Sequence, residues 1–373
     1  MHRDVRGDLF PPGEYLRDEL EARGWTQEDL AAILGRPLKT VNQILSAKKA
    51  ITPQTAQELA AAFGTSAEVW LNLENAYRLG LEKREGGDIK RRARLYDMAP
   101  IKDMRRRHWI KEAETLGELE DEVRRFFEIG NLEDEPCLVA AARKSATYQQ
   151  TTASQKAWLF RAKDLASALR VAPYEERRLE EGLRLLHALT TSEQEVRRVP
   201  GVLADMGIRF VVVEHLPRTR IDGAALWLDQ ASPVVALSLR YDRIDGFWFT
   251  LAHELSHIRH RDLLALDNDL VGAERAASAD KPEAERRADE EASQFLIPTA
   301  VLDNFIARVR PFFSKNRIIQ FANLHGIHPG IVVGQLQNRK VIGYSHSREM
   351  LVSVRGLVAA AALTDGWGNL PGV

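Results

Sequence analysis

The chain has 373 residues, 45% of them apolar and 28% charged, and a formal net charge of −1. That length allows two or three domains with a real core, and the balanced charge excludes whole-chain polyelectrolyte binding, so any nucleic-acid contact must be a local patch. The single cysteine, Cys137, excludes an intrachain disulfide and an all-cysteine metal site; it suits a reducing compartment and is expected to be a small buried apolar residue. The opening MHRDVRGDLF lacks the apolar stretch of a signal peptide, and no run approaches the ~20 apolar residues of a membrane span. A cytoplasmic protein without membrane contact is expected.

The first elements lie in WTQEDLAAILGRPLKTVNQILSAKKAITP, Trp25 to Pro53. Thr26 is placed to cap a helix, with Asp29 three residues on in a capping-box arrangement. Leu30, Ala31, Ile33 and Leu34 supply its buried side. Gly35 suits a stop that needs positive φ, and Pro37 suits the first turn of the next helix. There Val41, Ile44 and Leu45 face inward. Thr52 and Pro53 open a third helix that Gly64 closes. Two short helices around a glycine turn make a helix-turn-helix, whose second helix can lie in a major groove. Asn and Gln read adenine edges and Lys holds phosphate. The candidate DNA contacts are therefore Gln27, Lys39, Thr40, Asn42, Gln43, Lys48 and Lys49. A plain helical bundle with a polar face is the competing reading of the spacing.

Lys83 to Lys111 carries eleven Lys or Arg against four Asp or Glu. A solvated linker face is favoured over extended phosphate contact, with Trp109 and Ile110 docking into the helical region beyond. From Glu112 to about Arg198, Leu, Ala, Glu and Arg dominate and read as helix throughout. After Val199 the runs RFVVVEHL, GAALWLD and PVVALSL read as strands between turns. GAALWLD is equally an edge able to pair with an extended peptide or a core strand. Helix returns at Phe247. Beyond Pro311, FANLHGIHPGIVVGQLQ has a helix-turn-helix rhythm, expected to pack on the core rather than to serve as a second reader of DNA, and a strand pair closes the chain.

FTLAHELSHIRHRD, Phe249 to Asp262, contains His-Glu-x-x-His. Leu251, Leu255 and Ile258 form a core stripe at helical spacing, which leaves His253 and His257 facing a cleft. Their i, i+4 spacing brings both imidazoles within reach of one ion, with Glu254 beside them to take a proton from water. An open catalytic zinc site needs a third protein ligand. His260 lies one turn on, but three side chains strung along a straight helix converge poorly. A second helix in ERRADEEASQFLIP offers Glu285, with Asp289 on the same face to orient a ligand histidine. Asp280, Pro282 and Glu283 are placed to start that helix, and Ala288 and Ala292 permit close approach. On the residues alone Glu285 reads about equally as a ligand or a solvated charge. An oxyanion donor is open among His260, Tyr241, His325, His328 and His346, each more often structural.

Two resemblances add to this. PPGEYLRDELEARGWTQEDLAAILGRP and ITPQTAQELAAAFGTSAEVWLNLENAY closely resemble the HigA-type antitoxin branch of the XRE helix-turn-helix family, which implies operator binding, commonly as a dimer, and often a toxin partner. From about Arg209 to His346 the chain resembles the ImmA/IrrE metallopeptidases, through GFWFTLAHELSHIRH, the E-x-x-A-D of Glu285 to Asp289, FLIP ending at Pro298, and FANLHGIHPGIVVGQLQ. Where many members have Phe-Ala after E-x-x-A-D, this chain has Glu291-Ala292. That family implies a zinc-dependent endopeptidase, often acting on transcriptional repressors, with His253, His257 and Glu285 as metal ligands, Glu254 as catalytic base and Asp289 behind a ligand.

The expected fold is α+β and predominantly helical. Residues 1–80 form an all-α helix-turn-helix domain, 81–111 a basic linker and 112–198 a helical middle region. Residues 199–310 form a zincin-like peptidase core with a small, mostly antiparallel sheet, and 311–373 a helix-turn-helix-like extension. The expected function is a DNA-binding, antitoxin-like regulator carrying a Zn2+ endopeptidase. Its expected partners are operator DNA, a repressor or toxin as substrate, and a second copy of itself. The alternative is a non-proteolytic antitoxin or repressor whose C-terminal half binds a toxin or ligand.

Overall fold

The structure, a computed structural model, describes residues 10–82, 86–138, 151–262, 264–268 and 281–366. The chain forms two compact units, Met1–Arg94 and Leu95–Val373. Helices α1 (Pro12–Arg23), α2 (Gln27–Leu34), α3 (Leu38–Leu45), α4 (Pro53–Phe63) and α5 (Ala67–Glu82) build the first, and the division falls within α6 (Gly86–Met98).

Local chemistry sets these boundaries. Thr26 accepts from the Asp29 amide and the Asp29 carboxylate accepts from the Thr26 amide, a complete capping box. Gly35 and Gly64 close α2 and α4 at φ 61° and 70°. Thr52 caps α4, with Pro53 at its start. Pro37 stands one position earlier than expected, as the cap of α3, and Ile33 is exposed because the core contacts of α2 centre on Leu30 and Ala31. Leu16, Leu20, Val41, Ile44, Leu59, Phe63 and Trp70 complete that core. Helices α1 and α3 meet closely at Gly13, where a Cβ would stand 2.2 Å from the Leu45 carbonyl oxygen.

The second unit is a sheet between two helical layers. Strands β1 (Arg209–Val212), β2 (Ile221–Trp227), β3 (Pro233–Leu237), β4 (Leu264–Asn268) and β5 (Leu363–Thr364) lie in the order β4-β2-β3-β1-β5. The sheet is mixed, where the sequence predicts a mostly antiparallel one: β2 pairs antiparallel with β3 and β4, while β1 pairs parallel with β3 and β5. GAALWLD is interior, between β4 and β3, so the edge reading of that strand is overturned. Among the described residues the tail supplies one strand, β5, rather than a pair.

Side chains alternate across the sheet with period two. Val211, Val213, Val234, Ala236 and Leu226 join the core formed with α7 (Ile101–Arg106), α8 (Leu116–Phe127) and α9 (Ala153–Ala168). Phe210, Val212, Val235, Leu237 and Trp227 face the opposite core. Both faces are covered, so β2 and β3 are buried along their whole length. That explains why these runs are continuously apolar rather than alternating. Trp109 and Ile110 sit in the first of these cores as expected. Arg107, counted within the basic run, is buried too. It donates to the Glu214 and His215 carbonyls at 2.6 and 2.8 Å and lies 3.6 Å from Asp365. Cys137 is half-buried rather than buried.

The other layer contains α10 (Leu179–Ala188), α11 (Val199–Asp205), α12 (Ile244–Arg259), α13 (Glu283–Leu296), α14 (Thr299–Val309), α15 (Lys315–His325), α16 (Pro329–Asn338) and α17 (Arg355–Ala359). Helix does not run unbroken from Glu112 to Arg198. Residues 169–175 are extended or coil, and 3-10 turns occupy Glu176–Arg178, Leu189–Thr191 and Glu193–Arg198. Helix α12 starts at Ile244, three residues before Phe247. Helices α15 and α16 keep the helix-turn-helix rhythm around Gly326, at φ 62°. Their Ile318, Phe321, Ile331, Val332 and Leu336 are committed to the core shared with α12, so this face packs as expected.

Candidate metal centre

Helix α12 is central to the second unit, and every residue from Ile244 to Ile258 is buried. The cleft-facing histidines expected from the stripe are therefore covered as well: His253 and Glu254 are 0% exposed and His257 is 1% exposed. Two neighbours account for this. Helix α13 packs along the histidine side, its approach permitted by fully buried Ala288 and Ala292. Strand β2 packs along the Glu254 side, and a Cβ on Gly223 would lie 2.3 Å from Glu254 Oε1. The β2–β4 register shifts between Ile221 and Gly223, so this close contact lies at an irregularity of the ladder.

The candidate ligands converge. His253 Nε2 lies 3.1 Å from His257 Nε2 and 3.3 Å from Glu285 Oε2, and His257 Nε2 lies 3.6 Å from Glu285 Oε1. One donor atom from each of the three falls within 4.8 Å of the others. Each imidazole is backed on its far side by a carboxylate. His257 Nδ1 is 2.8 Å from Asp262 Oδ2, and His253 Nδ1 is 3.2 Å from Asp289 Oδ1. A carboxylate beside Nδ1 favours the proton there, so both Nε2 atoms present lone pairs, as does Glu285. Three acceptors converging in a buried space fit a cation, and two imidazoles with one carboxylate fit zinc.

The backing carboxylates are themselves held. Lys281 Nζ lies 2.8 Å from Asp289 Oδ2, and an Arg287 terminal nitrogen lies 2.8 Å from Asp262 Oδ2. Sequence reasoning points to Asp289 but not to Asp262, Lys281, Arg287 or Gly223. Asp262 closes the FTLAHELSHIRHRD stretch, five residues after His257. What returns it to the histidine is the turn after α12, with Arg261 at φ 55° and the Asp262 amide donating to the His257 carbonyl. No periodicity announces such a turn.

His260 is not part of the cluster. Its Nε2 is 2.8 Å from Glu291 Oε1, while Ser256 donates to Glu291 Oε2 at 2.8 Å. Burial acts to raise the Glu291 pKa, but these hydrogen bonds and the nearby positive groups outweigh it and hold the carboxyl below its ordinary range. Glu291, the departure from the Phe-Ala pattern, thus joins α13 to α12 through a polar pair. The other oxyanion candidates have structural partners. Tyr241 accepts from Arg240, His325 packs on Phe321, His328 Nδ1 accepts from the Gly330 amide, and His346 donates to the Phe313 carbonyl. The start of α13 differs from expectation: Pro282 is its cap and makes no side-chain bond, and Asp280 lies outside the described residues.

In the first unit, Gln27, Lys39, Asn42, Lys48 and Lys49 are exposed, and Thr40 and Gln43 are partly so. Six of them lie on the outer side of α3 and the turn after it, and Gln27 begins α2. Among the described residues no helix is long and apolar enough to cross a membrane.

Residues 16–70 match the family model described as helix-turn-helix, and residues 210–327 match the M78 peptidase model described as the IrrE N-terminal-like domain. Over 84 residues the chain is 31% identical to the uncharacterized HTH-type transcriptional regulator YddM of Escherichia coli (strain K12), covering 22% of this chain and 88% of that protein. Over 79 residues it is 36% identical to virulence-associated protein I of Dichelobacter nodosus, covering 21% of this chain and 73% of that protein. Among solved structures, a HigA-family addiction module antidote protein from Coxiella burnetii is 38% identical over 21% of this chain and 87% of its own, with a TM-score of 0.21.

Proposed function

Because the chain belongs to the helix-turn-helix regulators through residues 16–70 and carries an IrrE N-terminal-like peptidase domain over residues 210–327, we propose that it is a DNA-binding, antitoxin-like regulator whose second unit is a zinc-dependent endopeptidase acting on a regulatory protein. The observation that carries this reading is the convergence of His253 Nε2, His257 Nε2 and Glu285 within 4.8 Å, next in sequence to a buried glutamate.

His253, His257 and Glu285 would hold the metal, and Asp262 and Asp289 fix the two imidazoles with their Nε2 lone pairs inward. The chemistry a zinc ion would supply there is Lewis-acid polarisation of a peptide carbonyl and a more acidic water. Glu254 takes the proton from the attacking water and returns it to the departing amine. Gly223 leaves the space its carboxylate needs. The complete burial of His253, Glu254 and His257 favours a latent enzyme, whose site must open before a polypeptide reaches it. In the first unit Gln27, Lys39, Thr40, Asn42 and Gln43 face base edges and Lys48 and Lys49 the phosphates, with a dimer reading a two-fold operator. The substrate is a repressor or a toxin, proteins of the kind such a regulator meets at its operator.

Glu254→Gln tests the reading. The variant keeps its zinc and loses cleavage, so one or a few regulatory proteins accumulate in a proteome comparison with the wild type under stress. Indistinguishable proteomes would sink the peptidase claim and leave the alternative, a non-proteolytic antitoxin or repressor.

A further inference from the structure

The helices that carry the candidate ligands also wall a second cavity. It has a volume of about 600 Å³ and lies between α10, α12 and α13. Its walls use α12 positions Ala252, Leu255, Ser256 and Arg259, which interleave with the metal positions His253 and His257 but are not among them. The volume is that of a small-molecule site, where an apolar floor with a few polar groups is the usual design. Leu183, Ala252, Leu255 and Phe295 supply the floor, with the His187 ring edge-on to Phe295 at 5.5 Å.

The charges around it are unequally committed. Glu180 pairs with Arg259, and Glu291 is held by Ser256 and His260. Arg184 has no hydrogen-bond or ion-pair partner among the described residues. Arg287 gives one terminal nitrogen to Asp262, makes no other bond among the described residues, and is 34% exposed. The remaining acid, Glu290, is exposed to solvent. Two guanidiniums thus have donors to spare over an apolar floor, and guanidinium is the side chain suited to carboxylate and phosphate.

We propose that this cavity is a regulatory site for a small amphipathic anion, an apolar body with a carboxylate or phosphate head, and that its occupancy alters the metal centre. The path of coupling is short. Arg287 lines the cavity and binds the same Asp262 oxygen, Oδ2, that holds His257 Nδ1. An anion drawing on Arg287 weakens its hold on Asp262 and changes the orientation of a ligand histidine. The coupling rests on the proposed metal site, whereas the cavity itself does not.

The test titrates the full-length chain with 8-anilinonaphthalene-1-sulfonate, which combines an aromatic body with an anionic head, with and without zinc. One saturable site is expected. Arg184→Glu, an exposed change, and Leu183→Trp, which fills the floor, should each weaken it at least tenfold. Saturating probe should change zinc affinity at least threefold, and zinc should change probe affinity by the same factor, since linkage is reciprocal. Equal binding by wild type and Arg184→Glu overturns the site. Equal zinc affinity with and without probe overturns the coupling. A chain that takes up no zinc but binds probe through Arg184 leaves the cavity standing and removes the metallopeptidase reading.

Discussion

The carboxylate of Glu254 rests against the backbone of Gly223, so closely that a single methyl group there would stand 2.3 Å from Oε1 and 2.9 Å from the Thr250 methyl. The sequence shows a glycine within an apolar strand, and the structure shows what its missing side chain is for. Gly223→Ala must push Glu254 or the strand aside, at a cost of about 1–3 kcal/mol. Zinc affinity should stay within about threefold, because no ligand moves, while cleavage should fall by about 100-fold or more with the displaced base. Unchanged cleavage kinetics in a correctly folded Gly223→Ala protein would contradict the assigned role of that contact.

Asp262 and Asp289 each back an imidazole, at 2.8 and 3.2 Å. Removing such a partner costs about 10–100-fold in metal affinity. Asp262→Ala should show that loss in a competition titration with a chromophoric chelator, and Asp289→Ala a smaller one given its longer contact. His260→Ala should leave zinc affinity unchanged, because His260 is occupied by Glu291. A His260→Ala loss equal to that of Asp262→Ala would restore His260 as a ligand.

The DNA-facing residues divide by role. Lys48→Ala and Lys49→Ala should weaken operator binding at all sequences alike and each lower the salt slope by about one. Asn42→Ala should instead relax discrimination at one base pair, about 5–150-fold, the size of a lost bidentate contact of ~1–3 kcal/mol. Fluorescence anisotropy against operator and scrambled duplexes at several salt concentrations separates the two patterns.

Burial pushes the imidazoles of His187, His215 and His328 below their ordinary value of 6.5. His328 Nδ1 also accepts from the Gly330 amide, which requires the neutral ring. Each folded pKa is depressed, so the unfolded chain binds more protons as pH falls below 6.5. The stability these rings contribute is full above about pH 6.5 and is lost as pH falls through the lower folded values. Urea midpoints of the full chain should hold steady above neutrality and decline as pH falls below about 6.5, with the decline reduced in His328→Asn. A midpoint that rises on acidification would contradict the sign.

Much of this was legible in the sequence because the signals are local. Thr26 with Asp29, Gly35 and Gly64 mark helix ends through chemistry within four residues, and they hold. The i, i+4 histidines and the i, i+4 Glu285–Asp289 pair announce faces that need only be brought together. The features that no local pattern announces depend on tertiary approach. Whether GAALWLD is an edge or a core strand depends on β4, which pairs with it from 38 residues or more downstream. Arg107 reads as one more cation of a basic run until the Glu214 and His215 carbonyls and Asp365 surround it. The two-faced burial of α12 could not be read from its stripe, because the cover comes from β2 and α13.

The most direct measurement is the zinc content of three purified full-length proteins after loading and exhaustive dialysis. One zinc per chain is expected in the wild type, one in Glu254→Gln, which keeps every ligand, and less than a tenth in Glu285→Ala, which loses the contribution of α13. Full zinc in Glu285→Ala, or none in the wild type, would contradict that expectation.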